Sequence, residues 1–430
     1  MMSHGWVVIA AILPLATLAS QEAPRPITLD EAVQLAQRNA PAAVQARGQL
    51  RSSDAGVRGA YAAFLPDVDL SMRRSWRSGA NVVRPGEIAG RQEPWSSAAS
   101  ANVGLQLFDG GSRLFEVRRA RAQQDAAEAN DINQRFQIAL QVKQAFYDGL
   151  AARESEAAAR TQLEQAQAQM RTATALVAAG AATKSDSLRT AIQIGNAQLA
   201  IITAQNELRN AEATLTRLVA TPFAVTPADD SLEAQPLALD SLSLERLATD
   251  GPAVRQAAAQ WQVTRAGQKA ARSTYLPALS MSVSRGANGD DLRYGWGEPF
   301  AYNTNVNFTL SYPLFNRLNR EEQRVTADVQ EANAAAALRD AQFAARQQLS
   351  QFLGAVRTAE ARISIQRSTV AAAEEDVRVQ QQRYAVGASR LLDLLTSQTE
   401  LNNARLALIQ ARYDYRIAKA QLEALVGRSL

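Results

Sequence analysis

Residues Ile194–Leu215 read IGNAQLAIITAQNELRNAEATL, and the spacing within this stretch decides the fold. Ile194, Ile201, Leu208 and Leu215 recur every seven residues, and Ala197, Ala204, Ala211 and Leu218 follow three behind them. An apolar pair spaced three and four apart, repeated every seven, is the seam of a coiled coil. The chain carries this pattern twice. A shift of 207 positions places Phe108 on Phe315, Gly180 on Gly387, Asp186 on Asp393 and Val219 on Val426, without a gap. The second seam is Leu401, Leu408, Tyr415 and Leu422, followed by Ala404, Ala411, Ala418 and Leu425.

The arms before the glycines repeat the theme. Leu349, Val356, Ile363, Val370, Val377 and Tyr384 are seven apart. Their first-copy counterparts include Val142, Leu163, Met170 and Val177, beside Ala145, Ala152, Ala159, Ala166 and Ala173. Alanine along a seam lets helices approach closely. Each copy therefore predicts a long helix, a turn at Gly180 or Gly387, and a shorter returning helix. The helix over 112–178 would be roughly 100 Å long at 1.5 Å per residue.

Outward from the helices the period changes. Val68, Leu70 and Met72 alternate with Asp67, Asp69, Ser71 and Arg73. Ala99, Ala101, Val103, Leu105 and Leu107 alternate with Ser100, Asn102, Gly104 and Gln106. Leu279, Met281 and Val283 alternate with Ser280, Ser282 and Ser284, and Val306, Phe308, Leu310 and Tyr312 with Asn305, Asn307, Thr309 and Ser311. A period of two predicts four strands with one apolar and one polar face, at about 67–77, 97–108, 278–285 and 303–312. Trp76, Trp95, Trp296, Phe300 and Tyr302 gather near the long connections 78–96 and 285–301, where an interfacial girdle would sit. A soluble hairpin packed on its own helices would show the same alternation, but the strands match the length of tilted membrane strands. Four strands cannot close a barrel, and an open edge is not tolerated in lipid. Three chains would supply twelve strands.

The remaining chain frames this duplicated unit. Gly5–Leu18 is apolar apart from Pro14, and small residues at Thr17 and Ala19 fit export-signal cleavage after Ala19, giving a signal segment at 1–19. No Lys or Arg precedes the run, which is too short for a membrane helix. The first repeat is 20–219, with its helical hairpin at about 112–219. A Pro- and Asp-containing link covers 220–242. The second repeat is 243–430, with its hairpin at about 317–426. Thr28-Leu-Asp-Glu31 forms a capping box, and Pro41 and Pro252 each start a helix.

Composition narrows the function. Basic and acidic residues number 46 and 42 and are well mixed, with no concentrated basic run, which argues against nucleic acid. Cysteine is absent and His4 is the only histidine, so a chain cleaved after Ala19 has neither, and most transition-metal sites are excluded. No nucleophile–base pair is recognisable, so no enzyme activity and no cofactor are expected.

In this order and spacing, Leu107-Phe108-Asp109-Gly110-Gly111 at a strand-to-helix change, Tyr384-Ala385-Val386-Gly387 at a hairpin tip and Asp393-Leu394-Leu395 after it are specific. With the duplicated strands and hairpins, they make the chain resemble the TolC-like outer-membrane efflux proteins over nearly its whole length. The resemblance implies a membrane α+β fold. Four strands per chain would form a shared twelve-strand trimeric β-barrel, continuous with a long α-helical coiled-coil barrel. It implies a homotrimer in the outer membrane of a Gram-negative bacterium, reaching into the periplasm. Such a trimer is the passive exit duct of a tripartite efflux or type I secretion system, working with a periplasmic adaptor and an inner-membrane transporter. The tip residues Gly180, Ala181, Val386, Gly387 and Ala388 would meet the adaptor. Asp186 and Tyr384 match a pair that ties neighbouring hairpins and keeps the periplasmic end closed. Asp393 matches an acidic constriction. The second acid of the best-known members is here Thr396, giving three carboxylates at that level rather than six, without the basis for a strong divalent-cation block. Two competing readings are a periplasmic adaptor, which carries one hairpin and compact β domains, and a coiled-coil scaffold without a pore, which needs no alternating strands.

Overall fold

A computed structural model describes residues 24–76, 95–229, 241–289 and 301–430. The signal segment at 1–19, most of the two long strand connections, Trp296, Phe300 and the centre of the link lie outside the described residues. The chain divides into two compact units. Unit 1 takes in Met1–Ala40, Ala139–Gln235 and Arg357–Ile417; unit 2 takes in Pro41–Ile138, Pro236–Val356 and Ala418–Leu430.

The helices record the duplication. In chain order they are α1 (Leu29–Asn39), α2 (Pro41–Ala62), α3 (Ser112–Ala178), α4 (Lys184–Val219), α5 (Ser241–Thr249), α6 (Pro252–Ser273), α7 (Asn319–Ala385) and α8 (Leu391–Val426). From α3 to α7, and from α4 to α8, both start and end shift by 207 residues. From α2 to α6 both shift by 211. The seam positions are buried or half-buried. Ala173 and Ala197 are fully buried, and so are Val142, Leu215 and Leu422. A helix this long is held by its seam rather than by propensity.

Unit 2 holds an antiparallel sheet of four strands, β2 (Asp67–Trp76), β3 (Trp95–Phe108), β5 (Ala278–Gly289) and β6 (Ala301–Ser311), in the order β2-β3-β5-β6. Strand β5 runs four residues past the 278–285 expected from alternation. Arg285, Gly286 and Ala287 break the apolar pattern, yet Ala287 pairs with Ala99 on one side and Tyr302 on the other. One face is apolar and exposed, with Val68, Leu70, Met72, Val306, Phe308 and Leu310 all more than half accessible.

The two strand-to-helix turns show how one backbone is made from two sequences. After β3, Gly110 and Gly111 adopt φ of 68° and 84°. Asp109 Oδ1 accepts from the Gly111 amide at 3.0 Å, and Oδ2 accepts from the Arg113 amide at 3.0 Å and from Arg113 Nε at 2.9 Å. A Cβ on Gly110 would come within 2.7 Å of the Ser273 carbonyl oxygen, so only glycine fits. The equivalent turn after β6 uses Arg317 and Leu318 at φ of 56° and 63°. These residues are left-handed, so α7 begins at Asn319 rather than at the expected 317. L-residues pay roughly 1–2 kcal/mol each for that backbone.

In unit 1, β1 (Arg25–Ile27) pairs in parallel with β4 (Val225–Pro227), bringing the start of the chain to the link after α4. Ile27 and Val225 are buried there. Strands of three residues have no period to detect, and alternation gave no sign of them. Elsewhere in the unit the buried Tyr413 hydroxyl donates to Glu154 Oε1 at 2.6 Å, tying α8 to α3. Among the described residues no helix is long and apolar enough to cross a membrane.

Candidate functional site

The hairpin ends of unit 1 carry all the candidate residues. Each long helix stops at a glycine. Gly180 and Gly387 both have φ of 73°, and nothing lies within 4 Å of the place a Cβ would occupy. The closing hydrogen bonds match. Gly180 N donates to Val177 O at 3.0 Å and Ala181 N to Leu176 O at 2.9 Å; Gly387 N donates to Tyr384 O at 3.0 Å and Ala388 N to Arg383 O at 2.7 Å. Both turns therefore end their helices with a left-handed glycine closed by bonds to the last turn. Gly180, Ala181, Val386, Gly387 and Ala388 are all exposed, Val386 by 79%.

The two aspartates open the returning helices. Asp186 Oδ2 accepts from Thr183 N at 3.0 Å and from Thr183 Oγ1 at 2.9 Å. Asp393 Oδ2 accepts from Arg390 N at 3.2 Å. Each carboxylate stands in the first helical turn, where the helix dipole favours it. Asp393 and Thr396 are exposed, and Thr396 Oγ1 is turned back to Leu392 O at 3.0 Å.

Tyr384 stands apart. It is 7% exposed, packed with Leu391 and Leu394 and against Leu176 and Leu395. Its hydroxyl has no hydrogen-bond partner among the described residues. Burial pushes the phenol's pKa up, and the Asp186 carboxylate adds to the rise. The structure thus brings Asp186 and Tyr384 within electrostatic reach, but Tyr384 is not hydrogen-bonded to Asp186, whose Oδ2 is engaged by Thr183.

Sequence reasoning also missed four polar side chains of the same hairpins: Gln169, Gln380, Ser389 and Gln398 keep buried polar atoms without partners among the described residues. An internal signal could have found three of them. At the shift of 207, Gln380, Ser389 and Gln398 fall on Ala173, Ala182 and Ala191 of the first copy. Unpaired buried polar atoms cost about 1–3 kcal/mol each, so each is a place for a water or for a partner from outside the chain. Among the described residues no cluster of His, Cys, Asp or Glu could hold a metal.

Comparison with known proteins gives one family. Residues 32–221 and 244–428 match the model of the outer membrane efflux protein family. The outer membrane efflux protein BepC of Brucella suis biovar 1 is 25% identical over 98% of this chain and 90% of its own. The pyoverdine export outer membrane protein OpmQ of Pseudomonas aeruginosa is 24% identical, covering 93% of this chain and 83% of its own. The crystal structure of the Campylobacter jejuni CmeC outer membrane channel has the same fold, with a TM-score of 0.79 at 17% identity, over 99% of this chain and 94% of that one.

Proposed function

The chain belongs to the outer membrane efflux protein family, and on that premise we propose how it acts as an exit duct through the outer membrane. It is an outer-membrane efflux channel rather than an adaptor. Three copies assemble, each giving four strands to a shared twelve-strand barrel and two helical hairpins to a tunnel. The duct is passive and carries out no reaction of its own. A periplasmic adaptor meets the tips at Gly180, Ala181, Val386, Gly387 and Ala388, and an inner-membrane transporter supplies cargo and energy. The domain plan is a signal segment at 1–19, repeats at 20–219 and 243–430, and a link at 220–242.

The observation that carries this reading is the open sheet. Among the described residues its end strands β2 and β6 each have one neighbour, and its apolar face is exposed. Lipid tolerates a sheet only when every backbone group is paired, which requires closure by other copies. The opposite face carries Asp67, Asp69, Ser100, Asn102 and the serines of β5, and suits a wet lumen. A coiled-coil scaffold has no use for such a face. Fractionation tests the reading: a heat-resistant trimer in outer-membrane extracts supports it, and a water-soluble monomer overturns it.

The gate is proposed at the same hairpin ends. The unpartnered Tyr384 hydroxyl and the nearby Asp186 support a closed state in which the phenol bonds to a group of a neighbouring copy. Asp393, with Thr396 beside it, forms a constriction of three carboxylates. Opening is then a shift between two packings, driven by whichever the adaptor prefers.

A further inference from the structure

The apolar face of the sheet contains two arginines that alternation alone does not explain. Strand register puts Arg74 on the same face as Val68, Leu70 and Met72, and Arg285 on the same face as Leu279, Met281 and Val283. Arg285 stands in the row of Leu70, Ala101 and Thr304. A lipid-facing arginine costs about 2–4 kcal/mol at the bilayer midplane and little near an interface. Both side chains must therefore reach for an interface, and the geometry shows which one.

The Arg74 guanidinium lies 4.5 Å from the centroid of the Trp95 ring, and that of Arg285 lies 5.8 Å from Tyr302. Trp95 pairs with Trp76, two residues beyond Arg74 along β2. Tyr302 pairs with Ala287, two residues beyond Arg285 along β5. Each arginine thus leans over an aromatic ring one row farther from α2 and α6. The two lean the same way, as snorkelling side chains do. From the Leu279 row, Arg285 is about 20 Å along its strand, or roughly 15 Å of depth at the usual tilt, and its lean adds a further row. Arg74 lies about 25 Å up by the same measure, at the rim of the apolar band. Neither arginine has an ion-pair partner among the described residues.

This rests on the reading above, in which the helical hairpins that follow β3 and β6 run into the periplasm: the strand ends joined to helices then face the periplasm, and the opposite rim faces the outer leaflet. That leaflet is built of a phosphorylated glycolipid. We propose that Arg74 and Arg285, each laid on its aromatic ring, bind the phosphate groups of that glycolipid and hold it against the barrel wall. A guanidinium fork suits phosphate, and the exposed Leu70 and Met72 lie below it to receive acyl chains. Six such arginines would ring a trimer at two heights.

The test uses the full chain in detergent and in phosphatidylethanolamine vesicles. The probes are lipid A carrying both phosphates, its dephosphorylated form, and phosphatidylglycerol, with bound lipid counted by native mass spectrometry. The wild type should retain the bisphosphorylated probe about tenfold better than the dephosphorylated one, and Arg74→Gln with Arg285→Gln should erase that preference. Lysine at both positions should restore part of it. Equal retention of both lipid A forms by the wild type, an unchanged preference in the glutamine variant, or equal retention of phosphatidylglycerol would each overturn the assignment. Vesicle insertion separates the two claims. A wild type that does not insert sinks the channel reading itself, whereas normal insertion without phosphate preference sinks only the lipid site.

Discussion

The two hairpin ends share a backbone and differ in what they bury. Both close on a glycine at the same φ, and both returning helices open on an aspartate. The second end packs Tyr384, Leu391 and Leu394 into an apolar cluster. At the shift of 207 the first end has Val177, Lys184 and Ser187 in those places. The second also buries a polar atom of each of Gln380, Ser389 and Gln398, where the first has alanines. Duplication therefore preserved the turn while the side chains packed around it diverged. The first end has a polar surface and one buried unpaired side chain, Gln169, and the second combines an apolar cluster with three side chains that carry such atoms. In the proposed gate such an end would have two packings close in energy, the apolar cluster favouring one and new partners for the unpaired groups favouring the other.

The comparison breaks most readily at Leu394, which is 2% exposed. Leu394→Ala should cost about 2–5 kcal/mol locally, while Ser187→Ala at the matching place should stay within about 0.5 kcal/mol. Limited trypsin digestion at Arg383 and Arg390 reads the difference, and equal digestion of the two variants would show that the ends are not different in kind.

Next in size is the phenol. If a neighbouring copy supplies its partner, Tyr384→Phe removes a charge-assisted bond worth roughly 1–3 kcal/mol and opens the channel. Asp186→Ala should act in the same direction. Single-channel conductance in planar bilayers should rise for both, and no change in either removes the gate assignment.

The glycines should respond alike. Gly180→Ala and Gly387→Ala meet no clash, so each should cost only the backbone strain of roughly 1–2 kcal/mol. Thermal unfolding of the two variants checks this, and a much larger loss at Gly387 would mean that the second turn is held by more than its backbone.

The smallest effect concerns pH. Burial, with help from Asp186, raises the Tyr384 pKa above its ordinary 10.0. The folded state holds this proton more tightly than the unfolded chain. Its contribution is complete below pH 10 and is lost as pH climbs from there through the folded value. Ultraviolet difference absorbance between wild type and Tyr384→Phe should show one tyrosine ionising late. Ionisation at the ordinary value would mean the side chain is wetter than its packing indicates.

Much of this was written locally. A period of seven marks a buried seam wherever the chain lies, which is why the helices at 112–178 and 184–219 and their counterparts could be read from Ala173, Ala197, Leu215 and the positions matching them. Strand alternation is equally local, and it failed where the apolar run paused: Arg285 hid the outer end of β5. The three-residue pair β1 and β4 left no trace, because a parallel pairing between residues 200 apart is fixed by where the link returns rather than by any pattern in Arg25–Ile27. The site divided in the same way. Glycines at the turns and acids in the first helical turns follow from backbone rules and were visible one residue at a time.

Sequence by itself determined the duplication, the helices, the polar and apolar faces of the sheet and the family resemblance, because each rests on spacing along one segment. Tertiary structure alone decided that Tyr384 and Gln398 each bury an unpaired polar atom, that Asp186 stands near the phenol without bonding it, and that two arginines on the greasy face lean toward the same rim. Burial and partnership depend on which segments meet, and no single segment's period encodes its neighbours.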